Sequence, residues 1–336
     1  MKYKHGGTCY GVSIGRVRIK EGLMFNKSYL FSLAEARSSV EVIEMLAKTN
    51  YAKYLTAPPE QMDYRKMLEE KWRSVRNMYR QFALKSHINF FLWSKYDLYD
   101  AKILLKSRYF NLEPKELSGI GTVNLEKLKR YILRDLPAVI PGWIVKGVVK
   151  VKEKLEASKD SKYVDLIMDK EYLEFLKRVV SADGNGFLKD LLAAEIDLYN
   201  IKTFLRLKTK SIDPKILEEA LAAGGSKSKS FFVNLLGATN EEIVSFFKNT
   251  SYGSLINDGM VPLIEKGRFW KIEKLADDYL LKFVRGVKHN AFGFEPLIAY
   301  VYARRNEEKA LRSIIEGKLT GMSAAHIKER IPEAYV

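Results

Sequence analysis

Apolar positions along most of this chain recur every three to four residues, the spacing that gathers them on one face of an α-helix. In the segment PPEQMDYRKMLEEKWRSVRNMYRQFA, Leu68, Trp72, Val75 and Tyr79 follow one another at intervals of four, three and four. Arg65, Arg73, Arg76 and Arg80 fall mostly elsewhere, so an amphipathic helix is predicted, with Pro58 and Pro59 in its first turn and Thr56 as a candidate cap. Leu125, Leu128 and Ile132 predict a second helix capped by Asn124. Tyr163, Ile167 and Leu173 open a run reaching Val180, and Leu275, Tyr279 and Phe283 line a helix after Arg268. The last long helix is expected from about Pro296 to Glu316, with a short one from Ser323. Strand alternation is scarce. Between Tyr10 and Leu23 the spacing fits strand and helix alike, and periodicity leaves the choice open. The predicted class is all-α.

Two breaks interrupt the helices, one from Asn111 to Thr122 and one from Ala222 to Ser230. The second, AAGGSKSKS, is glycine, serine and lysine and reads as a mobile loop. They divide the chain into 1–118, 119–222 and 223–336, each of ordinary module size. The pieces echo one another. YDLYDAKILLKSR (96–108) and IDLYNIKTFLRLK (196–208) align, and NEEKALRSIIEGK (306–318) aligns more weakly. The register places acids at Asp97, Asp197 and Glu307, bases at Lys102, Lys202 and Arg312, and further bases at Arg108, Lys208 and Lys318. A second echo centres on Tyr51, Tyr172 and Tyr252. Amphipathic helices share a binary pattern by necessity, but two echoes in the same order favour threefold duplication. The expected fold is three similar helical bundles in a pseudo-threefold body able to enclose an axial recess.

Composition narrows the function. Lys and Arg number 57 against 41 Asp and Glu, a net charge of +16, which suits nucleic acid, an anionic surface or an acidic protein. The only cysteine is Cys9, which rules out an internal disulfide and suits a reducing compartment. The apolar run from Leu136, LPAVIPGWIVKGVVKV, is broken by Pro and Lys before the ~20 residues a membrane helix needs. Gly317-Lys318 lacks the rest of a phosphate-binding loop. His5, His87, His289 and His326 are scattered, with no metal-ligand spacing. Adjacent acids such as Glu69-Glu70 splay apart on a helix. No catalytic, cofactor-binding or metal-binding constellation is expected. The repeated bases Lys102, Lys202 and Arg312 are candidate interface residues. Aromatics fall on apolar faces rather than among the bases, so a basic helical nucleic-acid-binding protein is the weaker alternative.

The C-terminal stretch, Glu295 to Val336, carries the most specific pattern. Pro296, Leu297, Ala299, Tyr300, Glu307, Arg312, Ile314, Ile315, Gly317, Lys318, Leu319, Arg330, Tyr335 and Val336 resemble the C-terminus of the C-subunit family of V-type ATP synthases, whose eukaryotic vacuolar counterpart is the d subunit. Tyr10, Arg16, Val17, Arg18 and Leu23 resemble that family's N-terminal element, and Glu195 to Lys208 its middle segment. Ser323-Ala324-Ala325-His326 departs from the usual Pro-rich, acidic approach to the last helix. The resemblance implies a funnel of three helical bundles, a non-catalytic part of the central stalk. It would join the D–F rotor shaft to the membrane proteolipid ring during ion-driven ATP synthesis or ATP-driven pumping. It further implies a peripheral position on the cytoplasmic face, held through partners.

Overall fold

The computed structural model describes residues 10–114, 117–209 and 213–336. Cys9 and His5 lie outside them. Among the described residues there is no strand, and the chain is all-α. The helices are α1 (Gly11–Glu21), α2 (Lys27–Glu35), α3 (Ser39–Ala47), α4 (Tyr64–Arg80), α5 (Ser86–Phe110), α6 (Leu125–Arg134), α7 (Gly142–Ala157) and α8 (Lys162–Asp183). They continue with α9 (Gly186–Lys208), α10 (Pro214–Ala220), α11 (Lys229–Asn234), α12 (Asn240–Lys248), α13 (Gly253–Lys266), α14 (Trp270–Arg285), α15 (Glu295–Leu319) and α16 (Ala324–Arg330). The stretch left open by periodicity is α1, which buries Ile14 and Val17 and turns Gly11 and Gly15 outward.

Local chemistry sets the boundaries. Asn124 caps α6 by accepting from the backbone N–H groups of Glu126 and Lys127, and Ser323 caps α16 by accepting from His326. The helix expected at Pro58 starts later. Pro59–Gln61 form one 3-10 turn, and α4 begins at Tyr64 behind the cap Asp63. Pro58 is extended at ψ 152°, the conformation favoured for a residue preceding proline, so no continuous helix crosses this point. Arg76, expected away from the apolar face, is buried.

The helices gather into two compact units. One joins the chain up to Ala83 with Ala238–Val336, and the other is Leu84–Gly237. In the first, α15 is buried over most of its length, from Glu295 to Gly317. Its Ala310, Leu311, Ile314 and Ile315 pack into a core with Leu30 and Leu33 of α2, Val42 and Leu46 of α3, and Ile327 of α16. A helix covered all round must satisfy its polar side chains internally, and Arg304 and Glu307 do so with each other. In the second unit α8 packs along α5 and α7. Trp143 is fully covered there, with ring centroids of Tyr172 and Phe175 at 5.4 and 5.7 Å.

Candidate functional site

The three acids of the repeat do the same local work. Asp97 on α5 accepts from the backbone N–H of Thr122 and of Val123, each at 2.9 Å, and from the Thr122 hydroxyl. Asp197 on α9 accepts from Ser226 N–H at 2.9 Å and Lys227 N–H at 3.2 Å. Glu307 on α15 accepts from Phe25 N–H at 3.2 Å. Val123, Lys227 and Phe25 each immediately precede the cap of the next short helix, Asn124, Ser228 or Asn26. Each long helix therefore grips the start of a short one.

The bases eleven residues on grip the other end. Arg108 donates to Ile132 O at 2.6 Å and pairs with Asp135, at the C-terminus of α6. Lys208 donates to Leu236 O at 2.7 Å, just past α11. Lys318 lies close enough to Glu35, the last residue of α2, to help lower its carboxyl pKa behind the stronger Lys328 contact. Eleven residues of helix rise ~16 Å, close to the ~15 Å of the ten-residue α6. A cation at a helix C-terminus also meets the negative end of its dipole.

The expected mobile loop is fixed. Asn200 accepts from Ala222 N–H and donates to Ala222 O, both at 2.8 Å, and Asp197 holds Ser226 and Lys227. Its glycines serve close approach rather than flexibility. A Cβ at Gly225 would stand 2.1 Å from Asp197 Oδ1, and one at Gly121 would stand 1.9 Å from Asp97 Oδ1. Burial pushes the Asp97 carboxyl up to about 6, while its bonds to Thr122 and Val123 oppose the shift.

The middle bases are not equivalent. Lys102 is paired across to Asp165 and Asp169 of α8, Arg312 faces Glu308 at 3.1 Å and Glu316 at 3.8 Å on its own helix, and Lys202 is half-buried. The tyrosine echo also divides. Tyr51 and Tyr252 each donate their backbone N–H to a threonine hydroxyl two residues earlier, at 3.2 Å, whereas Tyr172 lies inside α8.

A cleft of about 720 Å³ opens in the first unit. Arg16 and Lys20 of α1, Lys53 of the 3-10 turn Ala52–Tyr54, Lys71 and Arg73 of α4, and Arg304 of α15 line it. Arg304 is paired with Glu307 and donates to Tyr51 at 2.8 Å, and Arg73 is paired with Glu69 and Glu70. Lys71 donates to Asn50 and stands 4.5 Å from the Tyr51 ring and 5.1 Å from that of Tyr54. Burial, reinforced by repulsion from Arg304, Lys53 and Lys20, pulls the Lys71 ammonium down to about 7 against the attraction of Glu307. Sequence reading missed this cleft because its cations come from four separated segments. Among the described residues no three His, Cys, Asp or Glu lie together as metal ligands, and no helix is long and apolar enough to cross a membrane.

The model of the ATP synthase (C/AC39) subunit family matches residues 13–330. The chain is 25% identical over 325 residues to the C subunit of the V-type sodium ATPase of Enterococcus hirae, covering 95% of this chain and 97% of that protein. It is 23% identical to the C subunit of the A-type ATP synthase of Methanocaldococcus jannaschii, covering 95% and 85%, and 18% identical to that of Archaeoglobus fulgidus, covering 98% of each.

Proposed function

Because the chain belongs to the ATP synthase (C/AC39) subunit family, we propose that it is the non-catalytic central-stalk subunit of a rotary ATP synthase or ATPase. In this reading it is a socket that couples the D–F shaft to the membrane proteolipid ring, peripheral on the cytoplasmic face. The observation that carries the reading is the family match over residues 13–330, together with relatives named as C subunits over nearly their whole length. The helix arrangement supports it physically. A part that transmits torque must resist internal shear, and a short helix held at both ends by a long one has little freedom to slide. The recurrence of that arrangement behind Asp97, Asp197 and Glu307 supports the proposal of three duplicated pieces, 1–118, 119–222 and 223–336, in a pseudo-threefold body. The acid of each piece holds the residue that precedes a helix cap in the next, and Glu307 closes the cycle at Phe25.

Lys102, Lys202 and Arg312 are the proposed contact positions for acidic surfaces of the ring or shaft. Exposed charge pairs are individually weak and screened by salt, so washing complex-bearing membranes with concentrated salt should release a folded protein. Charge reversal at these three positions should weaken reassembly more than reversal at the exposed Lys127. Equal effects from all four, in variants of unchanged melting temperature, would remove the proposed contact role.

A further inference from the structure

The basic cleft of the first unit is built like a ligand site, beyond anything the coupling role requires. Among the described residues, Arg16, Lys20, Lys53 and Lys71 face it without a carboxylate partner: Arg16 donates to Gln81 and Lys71 to Asn50, both uncharged. Outside the cleft, Arg312, Lys274 and Lys309 of the same unit each face a carboxylate. A volume near 720 Å³ lies within the range of small-molecule pockets, and Ile19, Tyr54 and Tyr300 give it an apolar wall.

We propose that this cleft binds a small phosphate-bearing anion of several charges, with Lys71 at its floor and Arg16, Lys20 and Lys53 at its rim. Uncompensated cations on three separate elements match the charge of a di- or triphosphate group better than that of one carboxylate. Lys71 is the responsive member. Lys20 of α1, Tyr51 with Lys53 and Tyr54 of the turn, Tyr300, Arg304 and Glu307 of α15, and Glu70 and Arg73 of α4 surround it. Burial, with added repulsion from Arg304, Lys53 and Lys20, pulls its ammonium down to about 7. A bound anion reverses that repulsion, so binding takes up a proton at neutral pH and strengthens as pH falls from about 8 to about 6.

The test is calorimetry on the purified full chain with inorganic pyrophosphate, repeated in buffers of different ionisation heat. One site per chain is expected, with proton uptake near pH ~7.5 and affinity reduced about tenfold or more in Lys71→Gln. Lys53→Gln, at an exposed position that the fold does not need, should weaken binding in the same direction, and Lys127→Gln should not. Vesicles of phosphatidylcholine doped with phosphatidylinositol bisphosphate form a second arm. Vesicle capture that pyrophosphate displaces assigns the phosphate to a lipid headgroup, and pyrophosphate binding without capture assigns it to a soluble ligand. No pyrophosphate binding, affinity unchanged in both Lys71→Gln and Lys53→Gln, or binding of a hexaglutamate peptide alone would overturn the proposal. These measurements need no partner protein, so their failure leaves the coupling reading standing.

Discussion

The second unit holds its short helices with aspartates, whereas the first uses a glutamate, and one methylene changes what the neighbouring chain must be. Behind Asp97 and Asp197 the turn comes so close that only glycine fits three residues before the cap, at Gly121 and Gly225. Behind Glu307 the corresponding residue is Leu23, half-exposed and without such a restriction. Three residues along each long helix, Asp100 accepts from Ser118 and Gly119, and Asn200 holds Ala222. The matching residue of α15 is Ala310, buried in apolar core. The residue six before the cap is Lys20 of α1 here, and it lines the basic cleft. Glu307 meanwhile takes on Arg304 and Tyr51. The same motif is a plain structural grip in two places and part of a charged network in the third.

The difference predicts unequal costs. Glu307→Ala should be the most damaging change, on the order of 3–5 kcal/mol in urea unfolding, because it strands buried Arg304 as well as releasing Phe25. A loss below about 1 kcal/mol would mean that the network is not structural. Gly121→Ala and Gly225→Ala should each cost about 2–3 kcal/mol, since methyl and carboxylate cannot share the space. Leu23→Ala, at the equivalent place, should cost less than about 1 kcal/mol. Equal costs at all three would dissolve the distinction between aspartate and glutamate grips.

The two units should also answer pH with opposite signs. Asp97 titrates higher in the folded chain, so its contribution is present below about 4 and is lost as pH rises towards about 6. Lys71 titrates lower in the folded chain, so stability is penalised below about 7 and recovers as pH rises towards 10.5. Each effect is read as the difference in the pH dependence of stability between wild type and Asp97→Asn or Lys71→Gln, which should flatten it. The smallest contrast lies at the far ends of the short helices. Arg108→Ala, which loses a hydrogen bond to a carbonyl, should cost about 1 kcal/mol, and Lys318→Ala should cost less. A larger loss at Lys318 would show that the third grip is tighter than its geometry suggests.

Helices such as α6, α8, α14 and α15 were legible because 3.6-residue periodicity and caps like Asn124 act locally. The segment 10–23 was not, because Gly11 and Gly15 blunt the pattern on a face that turns outward. Register alone placed Asp97, Asp197 and Glu307 together as a class. It could not say that they hold turns, because the partners lie far along the chain, 25 residues from Asp97 at Thr122 and 282 from Glu307 at Phe25. The loop at 222–230 misled for a related reason. Glycine next to serine and lysine reads as freedom until the facing Asp197 is known. The cleft left no local trace, since Arg16, Lys53, Lys71 and Arg304 come from four segments, α1, the 3-10 turn Ala52–Tyr54, α4 and α15, and meet only in the folded unit.

The coupling role is tested most directly by isolating this chain, affinity-tagged at native abundance, from gently solubilised membranes and quantifying what accompanies it. The account predicts a fixed ratio of the nucleotide-binding subunits, the shaft and the ring proteolipid, with the chain itself released intact by concentrated salt. Recovery of the chain alone at low salt, or with nucleic acid in place of those subunits, would contradict it.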